Sequence, residues 1–326
     1  MADDEPAPRE ATSGVECGWC DGRFLPRADL ALPLGDAGFV FGASVTEQLR
    51  TCGGRLFLPD RHLERMRRSL ALVGFEPPSD PATAFAAAAE VAAHNHRLGP
   101  ADGDLGVVVV VTGGDVAAQH GGVAGRPRTF VHSFPLAFPL WARCFTEGVS
   151  LRTVDVVQVP ADCWPIAAKV RSRLHYWLAD RDATRAEPGA RAVLRHADGR
   201  ISETSTANVA VVKAGAILTP PETDALAGIS LGFVRELAAA AGIRWEERSL
   251  LAADLAAADE ILLTSTPSCI LPATRFDGRL VGAGEPGPIY RQLLADWGRS
   301  VGLDIAAQAH RLTNGVAAAV PERRRV

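Results

Sequence analysis

Lys169 is the first residue of interest, because a lysine can do chemistry that an arginine cannot. The sequence has 34 lysines and arginines, and only Lys169 and Lys213 are lysines. Arginine supplies surface charge equally well, so a lysine kept in this background favours a role such as a Schiff base, which needs an amine able to lose its proton. Taken alone, Lys169 could equally be a solvated ammonium at a helix start. Lys213, beside a tight turn, is best explained as a solvated residue.

Glu203 is the second candidate. It lies in residues 199–212, which open at an Asp198-Gly199 turn and continue into an apolar strand. This pattern predicts that Glu203 lies beside a sheet rather than on a wet loop. A buried glutamate without a partner is costly, so a purely structural Glu203 is less favoured than one facing a positive group.

A possible anion site follows at Gly228-Ile229-Ser230, where the pattern predicts that a helix begins. The first amide groups of a helix lack partners and lie at the positive end of its dipole, and a glycine lets the backbone approach a ligand closely. A helix N-terminus alone is a weak signal for phosphate, because most of them bind none.

Taken together and in this order, these residues resemble the class IV aminotransferases, the fold-type IV enzymes that use pyridoxal phosphate. Branched-chain aminotransferases, D-amino acid aminotransferases and aminodeoxychorismate lyases belong to that family. The resemblance spans about residues 18–300. Its further motifs are an Asp-x-Gly segment at 36–38, Glu-x-x-Arg at 47–50, His-x-x-Arg at 62–65 and Thr-Ser-Thr at 264–266.

The resemblance implies a fold and a partner. It implies an α+β fold of two domains: a smaller N-terminal α/β sandwich and a larger C-terminal domain with a pseudo-barrel of strands. It also implies a homodimer. We expect a disordered lead at residues 1–15, a small domain at 16–134, a linker at 135–141 and the cofactor-binding domain at 142–326.

The resemblance also assigns roles to single residues. Lys169 would form the Schiff base with pyridoxal 5'-phosphate and later act as general base at the substrate Cα. Glu203 would pair with the pyridine nitrogen and keep it protonated. The phosphate ligands would be Arg65, Gly228, Ile229, Ser230 and Thr266, with Ser230 replacing the threonine usual in the family.

These roles predict an aminotransferase acting between an amino acid, or a small amine, and a 2-oxo acid. One alternative within the family is a lyase that releases pyruvate from aminodeoxychorismate. A second alternative is a non-catalytic module that binds a phosphorylated ligand on the same fold.

The sequence departs from the family where substrates are gripped. Leu174 takes the place of a tyrosine that branched-chain enzymes use to touch the cofactor. Gly113 stands where D-amino acid enzymes carry an arginine for the substrate carboxylate. Pro267 lacks the amide that branched-chain enzymes use for the same purpose. Another grip could come from one of four nearby side chains, or these could face solvent: Arg171, Arg173, His175 and Tyr176.

Composition excludes several other classes. Hydrophobic residues make up 47% and charged residues 22% of the chain, as in ordinary globular proteins. The net charge of -4, without a basic stripe, argues against a nucleic-acid partner. The longest apolar runs are only strand-sized, so we expect no membrane span. The first residues are acidic rather than basic and then apolar, so we expect no secretory signal.

The six cysteines are scattered, which favours reduced thiols and a cytoplasmic location. Cys17 and Cys20 form a CxxC pair that could bind zinc or do redox chemistry. A zinc site needs four ligands, and no second pair completes it, so we expect no metal site.

Periodicity predicts the elements that position these residues. Asp60 is the expected N-cap of an amphipathic helix that ends at Gly74. Residues 134–140 are predicted to be extended. Further predicted helices lie at about 81–98, 172–186, 229–241 and 288–301, and the main predicted strands lie at 105–112, 128–134, 149–159 and 259–264. The end of the chain at 322–325 is expected to be solvated.

Overall fold

The computed structural model describes residues 14–317. Most of the predicted disordered lead and the charged end at 322–325 lie outside this range. The strands are β1 Cys17–Cys20, β2 Arg23–Pro26, β3 Ser44–Cys52, β4 Arg55–Leu56, β5 Leu105–Thr112, β6 Arg128–Pro135, β7 Val149–Val157, β8 Arg191–Arg195, β9 Ile201–Thr204, β10 Asn208–Lys213, β11 Ala216–Thr219, β12 Trp245–Glu247, β13 Glu260–Ser265, β14 Cys269–Phe276 and β15 Arg279–Leu280. The α-helices are α1 Ala37–Val40, α2 Pro59–Val73, α3 Pro81–His96, α4 Phe138–Trp141, α5 Cys144–Glu147, α6 Leu174–Ala186, α7 Ile229–Ala240, α8 Ala252–Ala256, α9 Pro288–Val301 and α10 Ile305–Ala317.

The described chain divides into two compact units. Unit 1 contains the residues up to Leu136 together with the segment Ala167–Arg173. Unit 2 contains Ala137–Ile166 and the residues from Leu174 onward. The segment with Lys169 therefore belongs to unit 1, although it lies within the second domain predicted from the sequence. The predicted domain boundaries stay a prediction.

Unit 1 is built on an antiparallel sheet in the order β2-β1-β6-β5-β3-β4. Its central strand β5 is almost entirely valine and pairs with β3 on one side and β6 on the other. Apolar side chains of α2 and α3 pack with one face of these strands, in a core that includes Val45, Leu49, Met66, Val91 and Val109. The other face of β3 is therefore the one turned away from the two helices.

Unit 2 contains a closed ring of six strands in the order β10-β13-β14-β7-β8-β9, because β9 pairs back with β10. The pairs β14–β7 and β7–β8 are parallel and the other four pairs are antiparallel. Closing a sheet in this way removes its unpaired edges. The antiparallel sheet of unit 1 and this mixed barrel confirm the predicted α+β fold.

The helix that carries Arg65 begins earlier than predicted. Its N-cap is Leu58, with φ 49° and ψ 47°, and Pro59 occupies the first turn, so the assignment of Asp60 as N-cap is wrong. Proline lacks the amide hydrogen that would go unpaired at this position, so the helix can start there. The end is confirmed, because Gly74 closes α2 with φ 71°.

One other expectation about conformation is wrong, and one helix was missed. Residues 138–141 form the short helix α4 rather than an extended chain, since Pro139 fits in a first turn. The helix α10 was not predicted after Gly302, which ends α9 with φ 66°. Within the described range, none of the helices has the length and apolar character needed to cross a bilayer.

Candidate active site

Lys169 lies in a segment that forms an isolated β-bridge with β3 in unit 1. Val170 pairs with Val45 in an antiparallel bridge. The amide of Thr46 donates to the carbonyl oxygen of Lys169 (2.9 Å), and the amide of Arg171 donates to the carbonyl of Ser44 (3.2 Å). Side chains alternate along an extended chain, so Lys169 and Arg171 leave it on the same side and Val170 on the other.

Helix α2 fixes the same segment from a second direction. The amide of Lys169 donates to Oγ of Ser69 (3.1 Å), a fully buried residue of α2. Arg65 precedes Ser69 by four residues, so both lie on one helix face. Helix α2 therefore carries the predicted phosphate arginine and also the anchor of the predicted Schiff-base lysine.

Arg65 is itself held by a buried carboxylate. Its Nε donates to Oε1 of Glu47 and its Nη2 to Oε2, both at 2.7 Å, while Nδ1 of His62 lies 2.7 Å from Oε2. Glu47 and His62 are completely buried. Such a bidentate pair fixes the plane of the guanidinium, so only its outer edge could reach a phosphate. The role of Arg65 in phosphate binding stays a prediction.

The protonation of this cluster follows from its contacts. Burial on its own would raise the pKa of Glu47, but the charge and hydrogen bonds of Arg65, with the bond from His62, lower it to about 2. Burial lowers the pKa of His62 more strongly than Glu47 raises it. The cluster is thus an ionised carboxylate and a guanidinium beside a neutral imidazole at pH 7.

In unit 2, Glu203 lies on β9 and is buried, with 8% of its surface exposed. The hydroxyl of Tyr176 donates to Oε1 (2.6 Å) and Nδ2 of Asn208 donates to Oε2 (3.2 Å). Glu203 and Asn208 are partners across the β9–β10 hairpin. The tight connection is closed by Oγ1 of Thr204, which accepts from the amide of Ala207 (2.9 Å). The predicted burial of Glu203 beside a sheet is confirmed.

Asn208 lies between Glu203 and Gly228, another predicted site residue of unit 2. Its Nδ2 also donates to the carbonyl of Leu226 (2.8 Å), and in the barrel it pairs with Thr264. A Cβ on Gly228 would overlap Oδ1 of Asn208. Gly228 is thus required to make room for this amide, a reason that the sequence did not suggest.

Several of the predicted phosphate ligands of unit 2 have donor groups without a hydrogen-bond partner in the described part of the chain. Gly228 is the N-cap of α7, and the helix begins at Ile229. Among residues 14–317, no partner is found for the amide hydrogens of Ile229 and Ser230, nor for the hydroxyls of Ser230 and Thr266. Ser230 is nevertheless buried, with 3% of its surface exposed. Unpaired donors at a helix N-terminus fit a bound phosphate.

The remaining candidates lie apart from these groups. Lys213 is half exposed and forms an ion pair with Asp259 (3.0 Å), as expected of a surface residue. Cys17 and Cys20 form no disulfide, and burial together with the charge of Asp21 raises the pKa of Cys20 to about 11, so this thiol stays protonated. No group of three or more metal-ligating side chains occurs in the described part of the chain.

The structure thus gathers the predicted residues into two sets, one in each unit. In unit 1, helix α2 carries Arg65 and also binds the backbone of Lys169 through Ser69. In unit 2, Glu203 and Gly228 both adjoin Asn208, and Thr266 follows the strand that pairs with it. Sequence reasoning missed Ser69, Glu47 and Asn208 as supports. Only Glu47 had a signal, because it alternates with the apolar residues Val45 and Leu49 on one side of β3.

Comparisons with known proteins identify the family of the chain. A family model described as Amino-transferase class IV matches residues 44–276. The chain is 30% identical over 276 residues to D-alanine aminotransferase of Bacillus licheniformis, covering 84% of this chain and 93% of that protein. It is 28% identical, with the same coverage, to a putative branched-chain-amino-acid aminotransferase of Methanocaldococcus jannaschii. The branched-chain amino acid aminotransferase of T.th., solved with pyridoxamine 5'-phosphate, superposes with a TM-score of 0.79 at 23% identity, covering 88% of this chain and 95% of that one.

The buried cluster of unit 1 predicts that acid destabilises the protein in two stages. Because the folded state lowers the pKa of His62 from 6.5, the unfolded chain takes up the proton more readily, and stability falls below about pH 6.5. Folding lowers the pKa of the Glu47 carboxyl from 4.5 to about 2. The stabilisation that the ionised carboxylate gives to the folded state is therefore complete above pH 4.5 and is lost as the pH falls towards 2. Urea unfolding at several pH values measures this, and the first stage should shrink in His62→Gln. A free energy of unfolding that stays constant down to about pH 4 would contradict it.

The contact between Gly228 and Asn208 predicts opposite effects of alanine at two glycines near the start of one helix. Gly228→Ala should cost about 1–3 kcal/mol of stability, because the new methyl group displaces the Asn208 amide. Gly232→Ala, where a Cβ meets nothing within 4 Å, should be neutral or stabilise by up to about 1 kcal/mol. Urea denaturation of both variants tests this, and equal effects would show that Asn208 is not held by Gly228.

Proposed function

The chain belongs to the class IV aminotransferases, and on that premise we propose a role for each site residue. The protein transfers an amino group between an amino acid, or a small amine, and a 2-oxo acid, with pyridoxal phosphate as its cofactor. When bound, this cofactor supplies an aldehyde that takes up the amino group and a pyridinium ring that accepts electrons. The residues of this chain hold the cofactor and move the protons.

The observation that carries the proposal is the arrangement around Asn208 in unit 2. One side of Asn208 supports the buried carboxylate of Glu203, which suits a pyridine nitrogen that must keep its proton. The other side adjoins Gly228, where the first amides of α7 and the hydroxyl of Ser230 offer unpaired donors to a phosphate. The hydroxyl of Thr266 is a further donor in the proposal. A carboxylate and an anion site held by one amide match the two ends of this cofactor.

Lys169 provides the third contact in the proposal. Its amine would hold the cofactor's aldehyde and would act as the general base that takes the proton from the substrate Cα. The backbone bonds to Thr46 and Ser69 support this role, because they fix the position from which the side chain starts. Arg65 supplies counter-charge for the phosphate.

Arg171 is the proposed grip for the substrate carboxylate. It leaves the extended segment on the same side as Lys169, and its guanidinium has no hydrogen bond or ion pair with any residue between 14 and 317. Desolvation, and then the nearby charge of Arg173, lower its pKa, although much of the side chain is exposed. Carboxylates raise the pKa of four other arginines: Arg128, Arg143, Arg200 and Arg248. A guanidinium without a partner is stabilised when a carboxylate binds to it. We therefore favour amino acids over simple amines as the substrates.

Two wider aspects belong to the same proposal. The free cysteines support a reducing compartment, which in most cells is the cytoplasm. A homodimer rests on the family resemblance alone, and light scattering after size exclusion would test it.

The lysine pair of the sequence gives a matched test of the function. Lys169→Ala should lower transamination by at least about a hundredfold, the contribution of a general base, and abolish the cofactor adduct trapped by borohydride. Lys213→Ala, which removes the other lysine, should retain both. Mass spectrometry locates the adduct, and coupled assays follow the 2-oxo acid. An adduct on Lys213, or pyruvate release from aminodeoxychorismate without an amino acceptor, would contradict the proposal.

Arg171→Leu tests the substrate class. Loss of a charge-assisted hydrogen bond of about 1.5–3 kcal/mol should raise KM for an amino acid roughly tenfold to a hundredfold. The rate with a monoamine that lacks a carboxylate should hardly change. Arg97→Leu, at the exposed end of α3, is the control and should alter neither substrate. An equal loss for both substrates in Arg171→Leu would exclude a carboxylate grip.

A further inference from the structure

Tyr176 of unit 2 is one of the four side chains predicted as candidates to bind the substrate carboxylate, but its hydroxyl has a different partner. It lies 2.6 Å from Oε1 of Glu203 and 3.0 Å from Nε2 of Gln158. The aromatic ring of Tyr176 also packs against the imidazole of His175, with ring centroids 4.0 Å apart. The phenol is therefore placed by packing and by two polar neighbours at once.

The orientation of Gln158 determines which way the phenol proton points. Oε1 of Gln158 accepts from the amide of Val159 (2.9 Å), a group that can only donate. Nε2 consequently faces both Tyr176 and Ser202 (3.1 Å), and it donates to each. Gln158 is 4% exposed and Ser202 is fully buried, so water does not compete freely for these bonds. The phenol oxygen accepts from Gln158 and must give its own proton to Glu203.

The second oxygen of Glu203 also accepts from a donor whose direction is fixed by another group. Oε2 accepts from Nδ2 of Asn208, whose direction is set by the carbonyl of Leu226, which can only accept. Each carboxylate oxygen thus receives a donor that a further group keeps in place. Two fixed donors favour the ionised form of a carboxylate and fix the plane of its lone pairs.

We propose that Tyr176 is a positioning residue that keeps Glu203 ionised and aimed, so that the ring nitrogen of pyridoxal phosphate stays protonated. This inference rests on the proposed function, in which Glu203 faces that nitrogen. Gln158 completes the chain of hydrogen bonds: its amide donates to the phenol, the phenol donates to the carboxylate, and the carboxylate accepts from the pyridinium. Tyr176 is accordingly not the grip of the substrate carboxylate.

The chain provides a matched control, because it contains only two tyrosines. Tyr290 on α9 is also buried, and its hydroxyl donates to the carbonyl of Phe145 (3.0 Å) without touching Glu203. Tyr176→Phe and Tyr290→Phe therefore each delete one hydrogen bond that a phenol donates. Only the first deletes a donor to the carboxylate.

The test is the ¹⁵N signal of ring-labelled pyridoxal phosphate bound to the protein, recorded as a function of pH. The wild type and Tyr290→Phe should show a pyridinium signal over the same pH range. In Tyr176→Phe the proton affinity of the ring nitrogen should fall about tenfold to a hundredfold, the value of one hydrogen bond to a charged group. The signal should then change towards that of neutral pyridine at lower pH, and kcat should fall with it while KM changes little.

Two further variants separate the possible failures. Glu203→Gln removes the carboxylate, so an unchanged pyridinium signal in this variant would overturn the proposed role of Glu203 itself. A changed signal in Glu203→Gln with an unchanged signal in Tyr176→Phe would overturn the inference about Tyr176 alone. Gln158→Met leaves the phenol in place and should shift the signal in the same direction by less than Tyr176→Phe. It serves as the decisive variant if Tyr176→Phe does not fold, and an unchanged signal there would overturn the chain of donors.

Discussion

A carboxylate that is buried away from water needs hydrogen-bond donors to replace the lost solvation. The donors to Glu203 account for much of the arrangement in unit 2. Its two oxygens take donors from Tyr176 and Asn208. Asn208 can reach Glu203 because the β9–β10 hairpin pairs them and because Gly228 has no side chain. One electrostatic requirement thus links the barrel, the helix that starts beside it and the predicted phosphate donors.

Unit 1 also contains a buried carboxylate, Glu47, but there the main partner is a positive charge. Glu47 is fully buried like its partner His62, but a guanidinium neutralises it, so its pKa falls to about 2. The ion pair with Glu47 fixes the side chain of Arg65. Ser69 lies on the same face of α2 as Arg65, and its hydroxyl binds the backbone amide of Lys169. Losing one partner of such a buried pair costs much more than the pair contributes in net stability. The cluster therefore acts mainly on geometry.

Both units show that the chemistry of this chain depends on supporting residues as much as on the residues proposed to contact the cofactor. Lys169, Glu203 and Ser230 are the groups with chemical roles. Their directions are set by groups with no chemical role, among them Ser69 and Asn208. This division explains why a substitution such as Gly228→Ala, with no polar atom involved, bears on the site.

The sequence by itself determined the family, the α+β class and the candidates Lys169, Glu203 and Gly228-Ile229-Ser230. It could do so because these depend on residue type and local order: a rare lysine, an apolar strand after a turn, and a glycine at a helix start. It also determined the ends of helices wherever a glycine takes φ above zero, as at Gly74. Local order failed at Asp60, because the chain can start a helix at Pro59 when the preceding residue adopts a left-handed conformation.

Only the tertiary structure decided which side chains meet. Asn208, Tyr176 and Glu203 are spread over more than thirty positions with no common spacing, and the closure of the barrel and the packing of α6 bring them together. Likewise, Ser69 and Lys169 are 100 residues apart. Hydrogen bonds act over about 3 Å in space, whereas sequence patterns record only neighbours along the chain, so partners of this kind are visible only after folding.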